Sequence, residues 1–201
     1  MKENLILIFT RNPELGKVKT RLAATIGNEN ALEVYIYLLE HTKKTVLETN
    51  VDKRVLYSEV INNNDIWDNQ FFQKGKQIGN NLGERMYHAF REGFKEGYQK
   101  IVIIGSDLIA LERNDIDKAF QKLKDHDIVL GPALDGGYYL LGMKTMHEKI
   151  FQNKEWSTAT VFKDTLEDIS ELPYYLLEEK NDIDTYEDIK EIPVFKKYTI
   201  T

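Results

Sequence analysis

Residues 5–9 read LILIF, apolar at every position, and residues 101–104 read IVII. A strand with one wetted face alternates apolar and polar residues, so unbroken apolar runs demand cover on both faces. These runs constrain the fold more than any other feature, because they call for a sheet buried between two outer layers. DIVLGP (127–132) and GGYYLLGM (136–143) are of the same kind, and RVLYS (54–58) and YYLL (174–177) add shorter pieces. A short extended piece is expected near residues 76–78.

Between these runs the apolar period changes to that of a helix. Leu32, Tyr35, Leu39 and Val46 recur within 28–48, and Leu82, Met86, Ala89, Phe90 and Gly93 line a second face. Ile116, Ala119, Phe120 and Leu123 form a third set, and Val161, Phe162, Thr165, Leu166 and Ile169 a fourth. Asn81 with Glu84 three residues on resembles a capping box, Asn114 and Ser157 are candidate caps, and residues 185–191 form a short closing helix. Strands alternating with helices predict an α/β three-layer sandwich with a mostly parallel central sheet. The neighbouring runs DIVLGP and GGYYLLGM, separated by a short turn, break the alternation and make the sheet mixed. No repeat, low-complexity tract or linker divides the 201 residues, and a chain that is 42% hydrophobic can bury one substantial core. One domain over 1–201 is expected.

The formal charge of −6 argues against a nucleic-acid or anionic-membrane binder, whose surfaces select net positive charge. The absence of cysteine excludes disulfides, thiolate metal sites and a cysteine nucleophile. The opening apolar run is too short for a signal peptide or a spanning helix, so a cytoplasmic protein without membrane insertion is expected. His41, His88, His126 and His147 are scattered, with no metalloprotease spacing, and no GxSxG elbow occurs. GxxxxGK[ST] and GxGxxG are also missing, which disfavours a P-loop NTPase and a Rossmann dehydrogenase. The polar stretch 59–70 reads as an exposed excursion, with Trp67, Phe71 and Phe72 as exposed aromatics that suit an interface or a lid; the oligomeric state stays open.

In open α/β sheets ligands bind at the carboxyl ends of strands. The segment FTRNPELGKVKTRL (9–22) follows the first strand and gathers Arg11, Lys17, Lys19 and Arg21. Ser106 and Asp107 follow KIVIIG, Asp135 opens the turn after DIVLGP, and Asp182 and Asp184 precede the closing helix. Cations that neutralise phosphate oxygens, beside carboxylates that hold Mg²⁺ or Mn²⁺, suit a polyphosphate with its metal. Gly16 would let backbone N–H groups approach the anion. Singly each element has an ordinary alternative: a solvated basic turn, a hairpin at Asp135-Gly136-Gly137, or Asp184 as an N-cap. Their joint placement at strand ends is what points to chemistry.

FTRNPELGKVKTRL, QIGNNLGERM, IIGSDL, LGPALDGGYYLLG, WST and NDIDTYEDI occur in an order that resembles the bacterial radical-SAM/selenodomain-associated transferase 1 family. That family is placed among nucleotide-diphospho-sugar transferases with a glycosyltransferase A-like fold, and the resemblance runs from residue 5 to about 192. It implies that Asp107 helps hold the metal, with Asp184, or Asp182 in reserve, completing the site. It implies that Arg11, Lys17, Lys19 and Arg21 face the phosphates, and that Asp135, Gly136, Gly137 and Tyr138 border the sugar or acceptor pocket. Gln77 and Arg85 are further candidates for nucleotide contacts. One departure is Leu108-Ile109, where the family pattern usually has serine and proline; it bears on substrate choice and activity. The resemblance implies a metal-dependent sugar-nucleotide transferase acting on an unknown acceptor, with glycosyl transfer placed slightly ahead of nucleotidyl transfer. A non-catalytic nucleotide binder is the third reading.

Overall fold

The computed structural model describes residues 2–198, so the extreme ends of the 1–201 span lie outside the described residues. The chain begins with strand β1 (Asn4–Thr10), helix α1 (Thr20–Ile26), the long helix α2 (Asn28–Leu47), and strands β2 (Asp52–Tyr57) and β3 (Gln73–Lys76). It continues through α3 (Leu82–Lys95), β4 (Lys100–Ile104), α4 (Arg113–Lys122), β5 (Ile128–Pro132) and β6 (Tyr138–Met143). It closes with α5 (Val161–Asp168), β7 (Tyr174–Leu176) and α6 (Tyr186–Ile189).

The strands form one seven-stranded sheet in the order β3-β2-β1-β4-β6-β5-β7. All neighbours are parallel except β6, which runs antiparallel to both β4 and β5. The mixed, mostly parallel α/β sheet agrees with the expectation from sequence. The reversed strand is the second arm of the hairpin that DIVLGP and GGYYLLGM form.

The apolar runs divide between two cores as the period of two requires. Ile6 and Ile8 enter one cluster with Val55, Val102, Ile104 and Val129, which α2 and α4 cover through Tyr35, Leu39, Ile116 and Phe120. Leu5 and Leu7 enter the other with Ile101, Ile103, Ile128 and Leu130, covered by Met86 and Phe90 of α3. A third cluster joins α1 and α2 to the chain's end through Leu22, Leu38, Ile183, Ile189 and Phe195.

Several local expectations are corrected. The cationic segment is not loop throughout, since α1 starts at Thr20 and carries Arg21. The extended piece lies at Gln73–Lys76 and overlaps the expected 76–78 only at Lys76. Trp67 and Phe72 are buried and pack edge-on against one another at 5.2 Å, and only Phe71 is exposed. The cap of α4 is Glu112, in a reciprocal box with Asp115, not Asn114. The cap of α5 is Thr160, because Ser157 stands three residues too early with a left-handed φ of 67°. Thr185, not Asp184, caps α6, in a box with Asp188. The Asn81 cap is as expected: its side chain accepts from the Glu84 N–H at 2.9 Å, while the Glu84 carboxylate takes the Asn80 N–H at 2.8 Å. No helix among the described residues is long and apolar enough to cross a membrane.

Candidate active site

From β1 the chain moves to β2 and β3 on one side, and β4 is added on the other. The carboxyl ends of β1 and β4 therefore border the point where the strand order reverses, and β1 and β4 run parallel in register from Asn4↔Lys100 to Ile8↔Ile104. Loops leaving adjacent strands at such a point diverge and leave a crevice between them. A cleft of about 780 Å³ lies here.

A buried polar knot fixes its floor. The Tyr35 hydroxyl, on α2, accepts the Arg11 N–H at 3.0 Å and donates to the Arg11 carbonyl at 3.2 Å. The Ser106 hydroxyl donates to Thr10 Oγ1 at 3.2 Å, and Tyr35 lies 3.4 Å from Thr10 Oγ1 and 3.5 Å from Ser106 Oγ. The start of the cationic segment is thereby tied to the residue before Asp107. Ser106 stands at the strand end picked out by the sequence, but Tyr35 and Thr10 have no distinctive sequence signal: Tyr35 fits its helical stripe as an ordinary core residue, and only its hydroxyl sets it apart.

Beyond the knot the segment turns through Glu14–Lys17, where the Lys17 N–H reaches the Glu14 carbonyl at 3.1 Å and the two side chains pair at 2.6 Å. Val18 is 3% exposed and anchors the segment in the core. Lys19 follows with φ 48°, a left-handed conformation uncommon for a side chain other than Gly, Asn or Asp. Its ammonium is held 2.7 Å from Asp107 Oδ2 and 3.2 Å from Asp184 Oδ1, and the side chain is only 4% exposed. Burial alone would lower the Lys19 pKa, but the two carboxylates outweigh it and hold the ammonium above its ordinary value. Arg21 pairs with the second oxygen of Asp184.

The carboxylate side is held by backbone. Ile183 is buried, and its N–H reaches the Asp107 carbonyl at 3.4 Å, which seats Asp182 and Asp184 beside the β4 end. Asp135 Oδ1 accepts the Gly137 N–H at 2.8 Å within the β5–β6 hairpin turn. Burial first, and then the charges of Asp107, Asp135 and Asp184, push the Asp182 carboxyl up to about 6. Four carboxylates thus share one region with Lys19 and Arg21.

The far wall comes from β3 and α3. Gln77 donates to the Leu56 carbonyl at 2.8 Å and to the Thr10 carbonyl at 3.3 Å, and its own carbonyl lies 3.4 Å from Arg85 Nη1. Arg85 also donates to the Gly79 carbonyl at 3.1 Å. Trp156 reaches across onto α3 at Gly83, where a Cβ would lie 2.2 Å from the indole, so this position has room only for glycine.

Of the residues singled out from sequence, Arg11, Lys17, Lys19, Arg21, Gln77, Arg85, Asp107, Asp135, Gly137, Tyr138, Asp182 and Asp184 all line this cleft. Gly16 and Gly136 are not among the lining residues. Their role is conformational: both have positive φ, 74° and 86°, and shape the turns that carry their neighbours. Glu59 also lines it without any signal in the sequence, and Asn80, Trp156 and Thr158 line it from within QIGNNLGERM and WST, where the sequence assigned them no part in binding. Leu108 and Ile109 pack inward, Leu108 into the first core at 2% exposure and Ile109 against the third.

Whether a divalent ion fits is answered by Lys19. Oxygens of Asp107 and Asp184 already converge on one positive centre, and hard carboxylate oxygens are the donors that Mg²⁺ and Mn²⁺ prefer. Among the described residues no group of three acidic, histidine or cysteine side chains is placed to hold an ion. Further ligands would have to come from substrate and water, which is how Mg²⁺ commonly sits in phosphate-handling sites.

Comparison with known proteins places the chain in a family. The model described as "Uncharacterized protein conserved in bacteria (DUF2064)" matches residues 33–158, more than half of the chain, and the chain belongs to that family. A 2-phospho-L-lactate guanylyltransferase from Methanocaldococcus vulcanius is 23% identical over 206 residues, covering 98% of this chain and 88% of that protein. A protein of Desulfovibrio desulfuricans G20, provisionally named a nucleotide-diphospho-sugar transferase, superposes with a TM-score of 0.87 at 29% identity, covering 100% of both chains. The 4-diphosphocytidyl-2C-methyl-D-erythritol synthase of Anaerococcus prevotii has the same fold, with a TM-score of 0.62 at 10% identity over 98% of this chain and 96% of that one. The first two are named as transferases and the third as a synthase.

Proposed function

We propose that this member of the DUF2064 family is a nucleotidyltransferase, joining a nucleoside triphosphate to a small phosphorylated acceptor with release of pyrophosphate. The observation that carries the reading is the meeting, at the β1–β4 switch point, of the cationic segment 11–21 with Asp107 and Asp184. In this reaction an acceptor phosphate oxygen attacks the α-phosphorus, the bond to the β-phosphate oxygen breaks, and pyrophosphate leaves with the electron pair. Little covalent chemistry falls to the protein, so catalysis is positioning and charge stabilisation.

Arg11, Lys17 and Arg21 neutralise the phosphate chain, and Lys19 joins them. Asp107 and Asp184, with Asp182 in reserve, would hold Mg²⁺ or Mn²⁺ together with phosphate oxygens. When bound, the ion would neutralise charge on the phosphates. Gln77 and Arg85 lie on the nucleotide side, and Asp135, Gly137 and Tyr138 border the acceptor. The resemblance to radical-SAM/selenodomain-associated transferases belongs to this same reading.

Nucleotidyl transfer is favoured because a triphosphate demands more positive charge than a sugar-linked diphosphate, and the segment supplies it immediately after β1. The guanylyltransferase similarity along almost the whole chain supports the same choice. Glycosyl transfer is the second reading, favoured by the name of the Desulfovibrio protein. The products separate them. The four nucleoside triphosphates are incubated with phosphorylated hydroxy acids and sugar phosphates in Mg²⁺, and pyrophosphate is measured. Acceptor-dependent pyrophosphate is expected, reduced roughly 100- to 1,000-fold in Asp107→Asn, the scale seen when one preorganised stabilising group is removed. Nucleoside diphosphate released from nucleotide sugars, without pyrophosphate from any triphosphate, would replace this reading with glycosyl transfer.

A further inference from the structure

We propose that Lys19 is a resident cation in the position between Asp107 and Asp184, closing it to a free divalent ion until a polyphosphate draws the ammonium away. The ammonium bridges the two carboxylates at 2.7 and 3.2 Å. An ammonium and a metal ion cannot share that point, so the carboxylates serve one or the other.

Three features distinguish this from a fixed structural ion pair. First, the backbone that carries the carboxylates does not depend on Lys19 for its placement. The Asp184 N–H donates to Asp188 at 3.0 Å, and the Asp107 carbonyl accepts the Ile183 N–H at 3.4 Å. Both residues therefore stay at the cleft when Lys19 leaves. Second, Lys19 enters from a left-handed backbone at the junction between the loop and α1, without donating a side-chain cap to that helix. Non-glycine residues held in this region are strained and cluster at functional sites, where surrounding structure over-determines them. Third, the cleft that Lys19 lines also holds Arg11 and Lys17, so a polyphosphate bound there brings competing anionic oxygens to the ammonium. A lysine on a flexible four-carbon stem can exchange one set of acceptors for the other.

Ordered loading follows. Metal alone meets a position already neutralised, whereas metal arriving with a polyphosphate meets carboxylates whose cation has found other partners. Only the second half of this inference rests on the nucleotidyl-transfer reading; the closure to free metal does not.

The test is Mn²⁺ binding followed by the paramagnetic resonance of the free aqueous ion, on the full chain without nucleotide. The apparent affinity falls in proportion to the fraction of molecules whose carboxylates are free. Lys19→Met is therefore expected to bind Mn²⁺ at least about tenfold more tightly than wild type, and Lys19→Met with Asp107→Asn to lose that gain. Lys19→Gln, which keeps a polar donor, is the second variant, read if Lys19→Met fails to fold by circular dichroism, and is expected to bind Mn²⁺ more tightly than wild type, though less tightly than Lys19→Met. Equal or weaker Mn²⁺ binding in the neutral variants would overturn the proposal. So would wild-type protein that binds Mn²⁺ alone in the micromolar range, a result that needs no variant. A separate arm adds a non-hydrolysable triphosphate to wild type. Failure to bind it counts against the nucleotidyl-transfer reading and leaves the comparison with Mn²⁺ alone intact.

Discussion

Removing the Tyr35 hydroxyl tests whether the polar knot holds the mouth of the cleft. In Tyr35→Phe the ring keeps its place in the first core, where Tyr35 is 3% exposed, so apolar packing is nearly unchanged. The Arg11 N–H loses its acceptor at 3.0 Å, and the Arg11 carbonyl loses a donor at 3.2 Å. An unsatisfied buried donor costs about 1–3 kcal/mol. Because the knot borders an open cleft, water can partly replace the hydroxyl, which places the expected loss at about 1–2 kcal/mol. For a chain of this length that is a fall in Tm of about 2–8 °C. Urea denaturation followed by far-ultraviolet circular dichroism gives the free energy, and calorimetric titration with a nucleoside triphosphate gives the second readout. Since Arg11 begins the cationic segment, affinity should fall as well, by roughly the threefold to tenfold that a loosened charge-assisted contact represents. A denaturation midpoint and slope equal to wild type, with unchanged affinity, would refute the claim that this hydroxyl joins the two strand ends.

Gly136→Ala is expected to cost about 2 kcal/mol or more, from roughly 1–2 kcal/mol for a left-handed backbone and from a Cβ placed 2.2 Å from the Ala159 carbonyl oxygen, with φ at 86°. The urea midpoint measures it, and because the Gly136 carbonyl accepts the Phe162 N–H at 2.9 Å, the start of α5 should lose amide-exchange protection first. Glu96 carries a pH-dependent contribution: the Arg54 hydrogen bond at 2.7 Å, opposed by burial and aided by Lys2, holds its carboxyl below the usual 4.5. A depressed carboxylate stabilises the fold above the unfolded value and loses that stabilisation as pH falls through the folded one. Glu96→Gln should therefore flatten the stability profile below about pH 4.5, while a slope equal to wild type in pH-dependent melts would show the pair contributes nothing.

The sheet was legible because burial on both faces writes itself as unbroken apolar runs, and the hairpin because two runs met across Asp135-Gly136-Gly137. Cap residues were less so. Asn114 and Ser157 are good capping types, yet the caps are Glu112 and Thr160, since position is decided by where the backbone turns helical and not by composition. Trp67 and Phe72 were misread because their neighbours are polar; the excursion after β2 folds back, and Asp65 Oδ1 pairs with Lys74 at 2.8 Å and accepts the Trp67 N–H at 3.0 Å. Local polarity conceals burial when the polar groups are satisfied by one another.

The site shows the same limit in its charges. Sequence placed cations after β1 and carboxylates after β4 and before α6, and the fold brings them together as expected. What strand-end logic could not show is that Lys19 and Arg21 face the carboxylates as well as the cleft. A helix starting at Thr20 is the cause, because it fixes where the side chain of residue 21 is carried, and the left-handed residue before it sets the approach of residue 19. The same two residues serve as counterions in the unliganded molecule and as phosphate partners in the proposed reaction. In that proposed reaction, a polyphosphate that draws Lys19 and Arg21 away would leave Asp107 and Asp184 without their counterions, and a divalent ion is the partner that hard carboxylate oxygens would then suit.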